Sequence, residues 1–175
     1  SDVYKRQAQS NALAASVKDT HGVYMLPALQ GLGAPYMDPQ QSALIGGLTR
    51  GATKAHVARA AMEGITFRVR EMLDRIYEDS GLPRPSSLAA DGGASANDLF
   101  MQIQADALGQ PVERMAPIEA TAFGAALLAG QAEGVWGPDA VDQLRKIDRT
   151  FEPTWSAEER ENRFDSGRKA CGLIE

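Results

Sequence analysis

The chain has 175 residues, of which 43% are hydrophobic, 23% charged and 6% aromatic, the composition of one globular domain whose core is built from Ala, Leu, Ile and Val. Its 18 Lys and Arg against 23 Asp and Glu leave a formal net charge of −5, so composition supplies none of the attraction that nucleic-acid binding requires. A single cysteine, Cys171, excludes an intramolecular disulfide, and no apolar run reaches the roughly 20 residues of a bilayer span; the expectation is a cytoplasmic domain with neither nucleic acid nor membrane among its partners.

Ser1–Gln7 belongs to no periodic pattern, and the first element read is a strand over 22–26, ended by Pro27. From Gly31 to Thr49 the chain reads as a long irregular segment of the kind that binds or packs against something. Thr53 is the expected N-cap of a long helix in which Val57, Ala61, Ile65, Val69, Leu73 and Ile76 recur three and four apart. That stripe is expected to face the core. Gly81 and Pro83 stop the helix. Residues 87–90 form a short predicted strand, followed by Asp91-Gly92-Gly93 and a helix carrying Leu99, Ile103, Ala107 and Leu108. A second strand is predicted over 112–115, then a helix over 119–130 whose Ala and Gly content predicts a close approach to the sheet. Two more helices are predicted, over 138–147 and 157–170, the latter opened by a Ser156…Glu159 capping box. Strand and helix alternate after residue 87, which argues for an α/β fold.

The most informative stretch is Asp91-Gly-Gly-Ala-Ser-Ala-Asn97. Two glycines between a strand and a helix remove side chains where the backbone turns and where a ligand can approach. Ser95 and Asp98 have capping-box spacing, which turns the amides of a helix start outward. A hairpin turn is the alternative, but helical residues follow and no second strand does. Gly31, Gly33 and Pro35 read as a structural loop, because no GxxxxGK[ST] pattern occurs. His21 and His56 lie 35 positions apart with no third ligand at metal-binding spacing, so no metal site is assigned. Ser42, Ser95 and Ser156 lack a GxSxG context. Asp98 and Asp106 read as members of a solvated helix face, and no catalytic residue is assigned.

Five segments then occur in one order: Gly22-Val-Tyr-Met-Leu-Pro-Ala-Leu-Gln-Gly-Leu-Gly-Ala-Pro-Tyr-Met-Asp38; Gly47 and Leu48 with His56, Val57, Ala60, Ala61, Met62 and Glu63; Asp91 to Asn97; Gln104-Ala-Asp106; and Thr121-Ala-Phe-Gly-Ala-Ala126. Together they resemble the carbohydrate kinases of the FGGY family, and within it the branch that phosphorylates glycerol. Met37 stands where that branch usually has Trp, and Leu29-Gln30 replaces Phe-Ser.

The resemblance implies part of a C-terminal actin-like (ribonuclease H-like) ATPase domain, spanning residues 8–175 and truncated on its N-terminal side. Ser1–Gln7 stands as an unmatched leader, native or foreign. ATP with Mg²⁺ is the implied phosphoryl donor and glycerol the acceptor, with sn-glycerol 3-phosphate and ADP as products, and a homo-oligomer is compatible with the family. Gly93 and Asn97 correspond to nucleotide-contacting positions, with Gly92 and Ala94 as their neighbours. An Asn side chain offers both a donor and an acceptor to a base edge. The general base, the polyol-binding residues and the phosphate loops are expected upstream. Another sugar kinase of the family, or a non-catalytic module retaining the fold, are the competing readings.

Overall fold

A computed structural model describes residues 2–116, 120–140, 144 and 146–174. No element is expected before residue 22, yet the chain opens with a 14-residue helix, α1 (Asp2–Ala15). Residues 2–7 are its first turns. Ala14, near its end, is buried with Met62 and Ile103. Strand β1 (Tyr24–Leu26) pairs antiparallel with β2 (Leu44–Gly46), in the register Tyr24↔Gly46. The segment expected to be irregular throughout 31–49 therefore contains a strand. Only three residues long, with Leu44 and Ile45 exposed, β2 has no alternation by which to be read.

Helix α2 (Lys54–Ser80) starts at Thr53, whose backbone N–H donates to His56 Nδ1 at 3.0 Å, and stops at left-handed Gly81. Its buried face differs from the expected one. Arg59, Glu63, Thr66, Arg70 and Glu71 are buried, whereas Ile65 and Ile76 are 43% and 49% exposed. The reason lies in what the helix meets. At Gly64 it lies against β1 so closely that a Cβ there would stand 2.2 Å from the Met25 carbonyl oxygen. On its polar side it meets helix α5 (Ala157–Ala170), which brings Arg163 to Glu63 at 3.5 Å, Arg168 to Glu71 at 3.3 Å and Glu161 to Arg70. Paired charges of this kind tolerate burial that single ones do not.

The larger sheet has the order β3-β4-β5, from β3 (Leu88–Ala90), β4 (Val112–Ala116) and β5 (Lys146–Phe151). Strands β3 and β4 are parallel and joined through helix α3 (Asp98–Leu108), while β5 returns antiparallel to β4. Helix α3 sits at the centre of the apolar packing. Met101, Ala105 and Leu108 pack with Val112 and Phe151, Ile103 with Met62, and Ala107 with Phe67 and Phe164. The last two rings meet edge to face at 5.6 Å, which docks α5 on α2. As expected, Ser156 caps α5, its side chain accepting from the Glu159 N–H at 3.1 Å.

Two sequence expectations are corrected here. Helix α4 (Ala120–Ala132) does not lie close to the sheet: Leu127 is buried, but Ala125, Ala126 and Ala129 are exposed and Leu128 is 70% exposed. Its small side chains permit a close approach without supplying a partner, and a Cβ at Gly124 would meet nothing within 4 Å. The helix predicted over 138–147 ends in strand instead, since Lys146 and Ile147 open β5; residues 141–143 and 145 lie outside the described residues.

Candidate functional site

The strand-to-helix turn after β3 has the form the sequence suggested, and the hairpin alternative is excluded because the chain leaves the turn as helix. Gly92 carries φ +81° and ψ 171°, a region of backbone space open essentially to glycine alone. One 3₁₀ turn, Gly93–Ala96, then leads into α3. The residue with positive φ is Gly92 and not Gly93; nothing lies within 4 Å of a Cβ built on either. Gly93, Ala94 and Ala96 are exposed, so the outer surface of the turn is bare backbone and small side chains. Ser95 closes the turn from within: it is buried, and its hydroxyl donates to the Gly92 carbonyl at 2.8 Å.

Helix α3 is capped by Asn97 rather than by the Ser95–Asp98 box that the spacing suggested. The Asn97 side-chain oxygen accepts from the Phe100 N–H at 3.2 Å. Its Nδ2 donates to Asn11 on α1. Both ends of this carboxamide are thus engaged inside the chain.

The turn is held from the sheet side by a residue outside the sequence-predicted set. Arg114, on β4, donates from Nη1 to the Ser95 carbonyl at 3.2 Å and to Asp98 at 2.7 Å, and from Nε to Asp148 at 2.6 Å. Arg149, its cross-strand neighbour, donates to the other Asp98 oxygen. The hydrogen bond from Arg114, assisted by the charge of Arg149, holds the Asp98 carboxyl below its ordinary value. A register shift between Arg114 and Met115 interrupts the β4–β5 ladder at this point. Sequence reasoning missed Arg114 because a lone arginine in a short strand carries no pattern; its position two residues after Val112, on the same face, was the available signal.

Other residues singled out in the sequence lie elsewhere. Asp106, expected on a solvated face, is 3% exposed. Its carboxylate accepts from the Thr154 hydroxyl at 3.0 Å and from the Thr154 and Trp155 N–H groups, fixing the entry into α5. His21 and His56 are neighbours after all, with ring centroids 5.2 Å apart. His56 Nδ1 is occupied by Thr53, and among the described residues no group of three or more His, Cys, Asp or Glu could hold a metal ion. The Gly31–Pro35 loop packs through Tyr36, whose hydroxyl donates to Glu71 at 3.0 Å and whose ring lies under Arg68. Burial pushes the Glu63 and Glu71 carboxyls up against the opposing pull of their arginine partners. A cavity of about 440 Å³ opens between β1, α2 and α5, with Tyr24, Phe67, Arg163 and Cys171 in its wall, and no residue of the Asp91–Asn97 turn lines it.

Residues 2–133 match the FGGY family of carbohydrate kinases, C-terminal domain. Over 172 residues the chain is 49% identical to a glycerol kinase of Bordetella parapertussis, covering 98% of this chain and 34% of that protein. Over 158 residues it is 50% identical to a glycerol kinase of Rhodopirellula baltica, covering 90% and 29%. Among solved structures it is similar to Plasmodium falciparum glycerol kinase with ADP, with a TM-score of 0.85 and 31% identity over 96% of this chain and 34% of that one. Similarity to a xylulose kinase from Rhodospirillum rubrum is lower, with a TM-score of 0.72 and 26% identity over 95% and 33%. The chain thus spans about a third of the length of the relatives it matches.

Proposed function

The chain belongs to the FGGY family of carbohydrate kinases, and from that premise we propose that it forms the nucleotide-binding C-terminal part of a kinase that transfers the γ-phosphoryl group of ATP to glycerol. The observation that carries this reading is the 49% identity to a glycerol kinase along nearly the whole chain. In the transfer a glycerol hydroxyl oxygen forms a bond to the γ-phosphorus, the bond from that phosphorus to the ADP oxygen breaks, and the hydroxyl proton passes to a base. That base, the polyol site and the phosphate loops belong, in this reading, to the upstream part of the protein. What this chain supplies is a seat for the nucleotide: the exposed backbone of Gly93 and Ala94 beside the half-buried Gly92, with Asn97 fixing the turn from below. Positioning of this kind is the main protein contribution to phosphoryl transfer.

Mg²⁺ enters this reading bound to the ATP phosphates and not to a ligand set of this chain. An ATP-dependent kinase of a small polyol belongs in the cytoplasm, where its donor is made. A kinase for another polyol of the same family is the second reading, and the lower TM-score and identity to xylulose kinase make it the weaker one.

A coupled ADP-release assay on the whole protein tests the proposal, with glycerol, xylulose and gluconate as acceptors. Turnover should depend on glycerol, and the 175-residue chain by itself should give none. Turnover with xylulose or gluconate but not glycerol overturns the substrate assignment, and sustained turnover by the isolated chain overturns the placement of the base upstream.

A further inference from the structure

We propose that Arg114 is the positioning residue that holds the Gly92–Asn97 turn in the shape that receives a nucleotide, an inference that rests on reading this turn as the nucleotide seat. Arg114 itself touches no nucleotide in this account. It acts through Ser95 and Asp98.

The geometry assigns the role to this side chain because its donors reach three separate segments. Nη1 meets the carbonyl of Ser95, inside the turn, and the carboxylate of Asp98, at the first residue of α3. Nε meets Asp148 on β5. The guanidinium also lies over the Phe151 ring, 5.4 Å from its centroid, and Phe151 is a buried member of the cluster that includes Met101 and Val112. A path of direct contacts therefore runs from the core, through one arginine, to a backbone carbonyl of the turn. The Arg114 side chain is only 12% exposed, but its partners Asp98 and Asp148 are about half exposed, so the bond to the Ser95 carbonyl is the best shielded of the three. A planar fork of five donors suits one carbonyl and two carboxylates at once, whereas a lysine ammonium has neither the spread nor the fixed plane.

The rest of the turn shows why such a latch matters. Inside it, the Ser95 hydroxyl and N–H both bond to the Gly92 carbonyl, and Asn97 is tied to Asn11. On its outer side a Cβ built at Gly92 or Gly93 would meet nothing within 4 Å. The turn is thus held from below, and Arg114 links its Ser95 carbonyl to the sheet, beside the Arg149–Asp98 pair at the start of α3. Releasing that link lets the turn sample other shapes, and apparent affinity falls in proportion to the fraction that remains competent.

The test uses the whole kinase with Arg114→Met, Arg114→Lys and, as a control on an exposed ion pair of α2, Arg75→Met. ADP binding is measured by calorimetry, steady-state constants are measured for ATP and glycerol, and amide hydrogen exchange is followed over residues 92–97 without ligand. Arg114→Met should weaken ADP about tenfold (about 1.4 kcal/mol), speed exchange in the turn, and leave the KM for glycerol unchanged. Arg114→Lys should recover part of the affinity, and Arg75→Met should change neither. Asp98→Asn, which preserves shape and the Ser95 bond, should give a smaller loss than Arg114→Met, and the double variant should lose less than the sum. Unchanged ADP affinity in a parent that binds ADP, whether or not the melting temperature falls, overturns the role of Arg114 alone. Equal losses for ADP and glycerol show a general folding defect and also overturn it. A parent that binds no ADP overturns the nucleotide seat and this inference together.

Discussion

Arg114 and Arg149 stand directly opposite one another on β4 and β5, and the carboxylate of Asp98 lies between them with one oxygen to each. Like charges facing across a ladder destabilise it, and Asp98 offsets that repulsion while tying the start of α3 to the sheet. Asp98→Ala should therefore cost about 1 kcal/mol, the upper range for exposed ion pairs. Urea unfolding should show a lower midpoint with an unchanged slope. Arg149→Ala added to Asp98→Ala should recover part of the loss, because the repulsion goes with the second charge.

The same carboxylate sets a pH dependence. Its folded-state value is lowered, first by the Arg114 hydrogen bond, below an unfolded value of about 3.9. Its contribution to stability is thus complete above the unfolded value and is lost as pH falls through the folded one. The stability difference between the parent and Asp98→Asn should be constant near neutral pH and should shrink below about pH 4. Glu63, raised mainly by burial, has the opposite sign: its contribution is present in acid and declines as pH rises through its folded value.

Gly92 should resist substitution through its backbone alone. Its φ and ψ lie in the region reserved for glycine, and no neighbour would touch a Cβ. Gly92→Ala should cost about 1–3 kcal/mol from backbone strain. Thermal unfolding of the ligand-free protein measures this directly.

How much of the molecule was legible in the sequence varies with the physics of each part. The glycine turn after β3 could be read, because glycines between an apolar run and a helical period leave few alternatives. The α5 start could be read from Ser156 and Glu159, since a cap is a local bond. The inward face of α2 could not, because its charged residues are buried by partners on α5 about a hundred positions away, as with Glu63 and Arg163. Strands β2 and β5 escaped notice because neither alternates in burial: of β5 only Phe151 is buried. Arg114 and Asn11 carry no motif, and they matter only once β4 and α1 are placed beside the turn.

Asn97 illustrates the difference between a motif position and its physical work. Taken from the sequence, Asn97→Ala removes only hydrogen bonds to a base edge. In the structure it also removes the cap of α3 and the bond to Asn11. The expected loss is about 1 kcal/mol of stability from the cap, in addition to weaker ADP binding. Asn97→Asp keeps an acceptor for the Phe100 N–H, so its melting temperature should stay nearer the parent's. Asn11→Ala should lower stability while leaving Asn97 and its bond to the Phe100 N–H in place.

The central claim is that a nucleotide lies against the bare backbone of the Gly92–Ala94 turn. Calorimetric titration of ADP into the whole protein and its Gly93→Val variant tests this most directly. Gly93 has neither positive φ nor any neighbour within 4 Å of a Cβ, so valine there should leave the ligand-free melting temperature and the affinity for glycerol close to the parent's. Its three added carbons should stand where the nucleotide lies and weaken ADP at least tenfold, about 1.4 kcal/mol. ADP affinity equal to the parent's, in a variant of unchanged stability, would contradict the account.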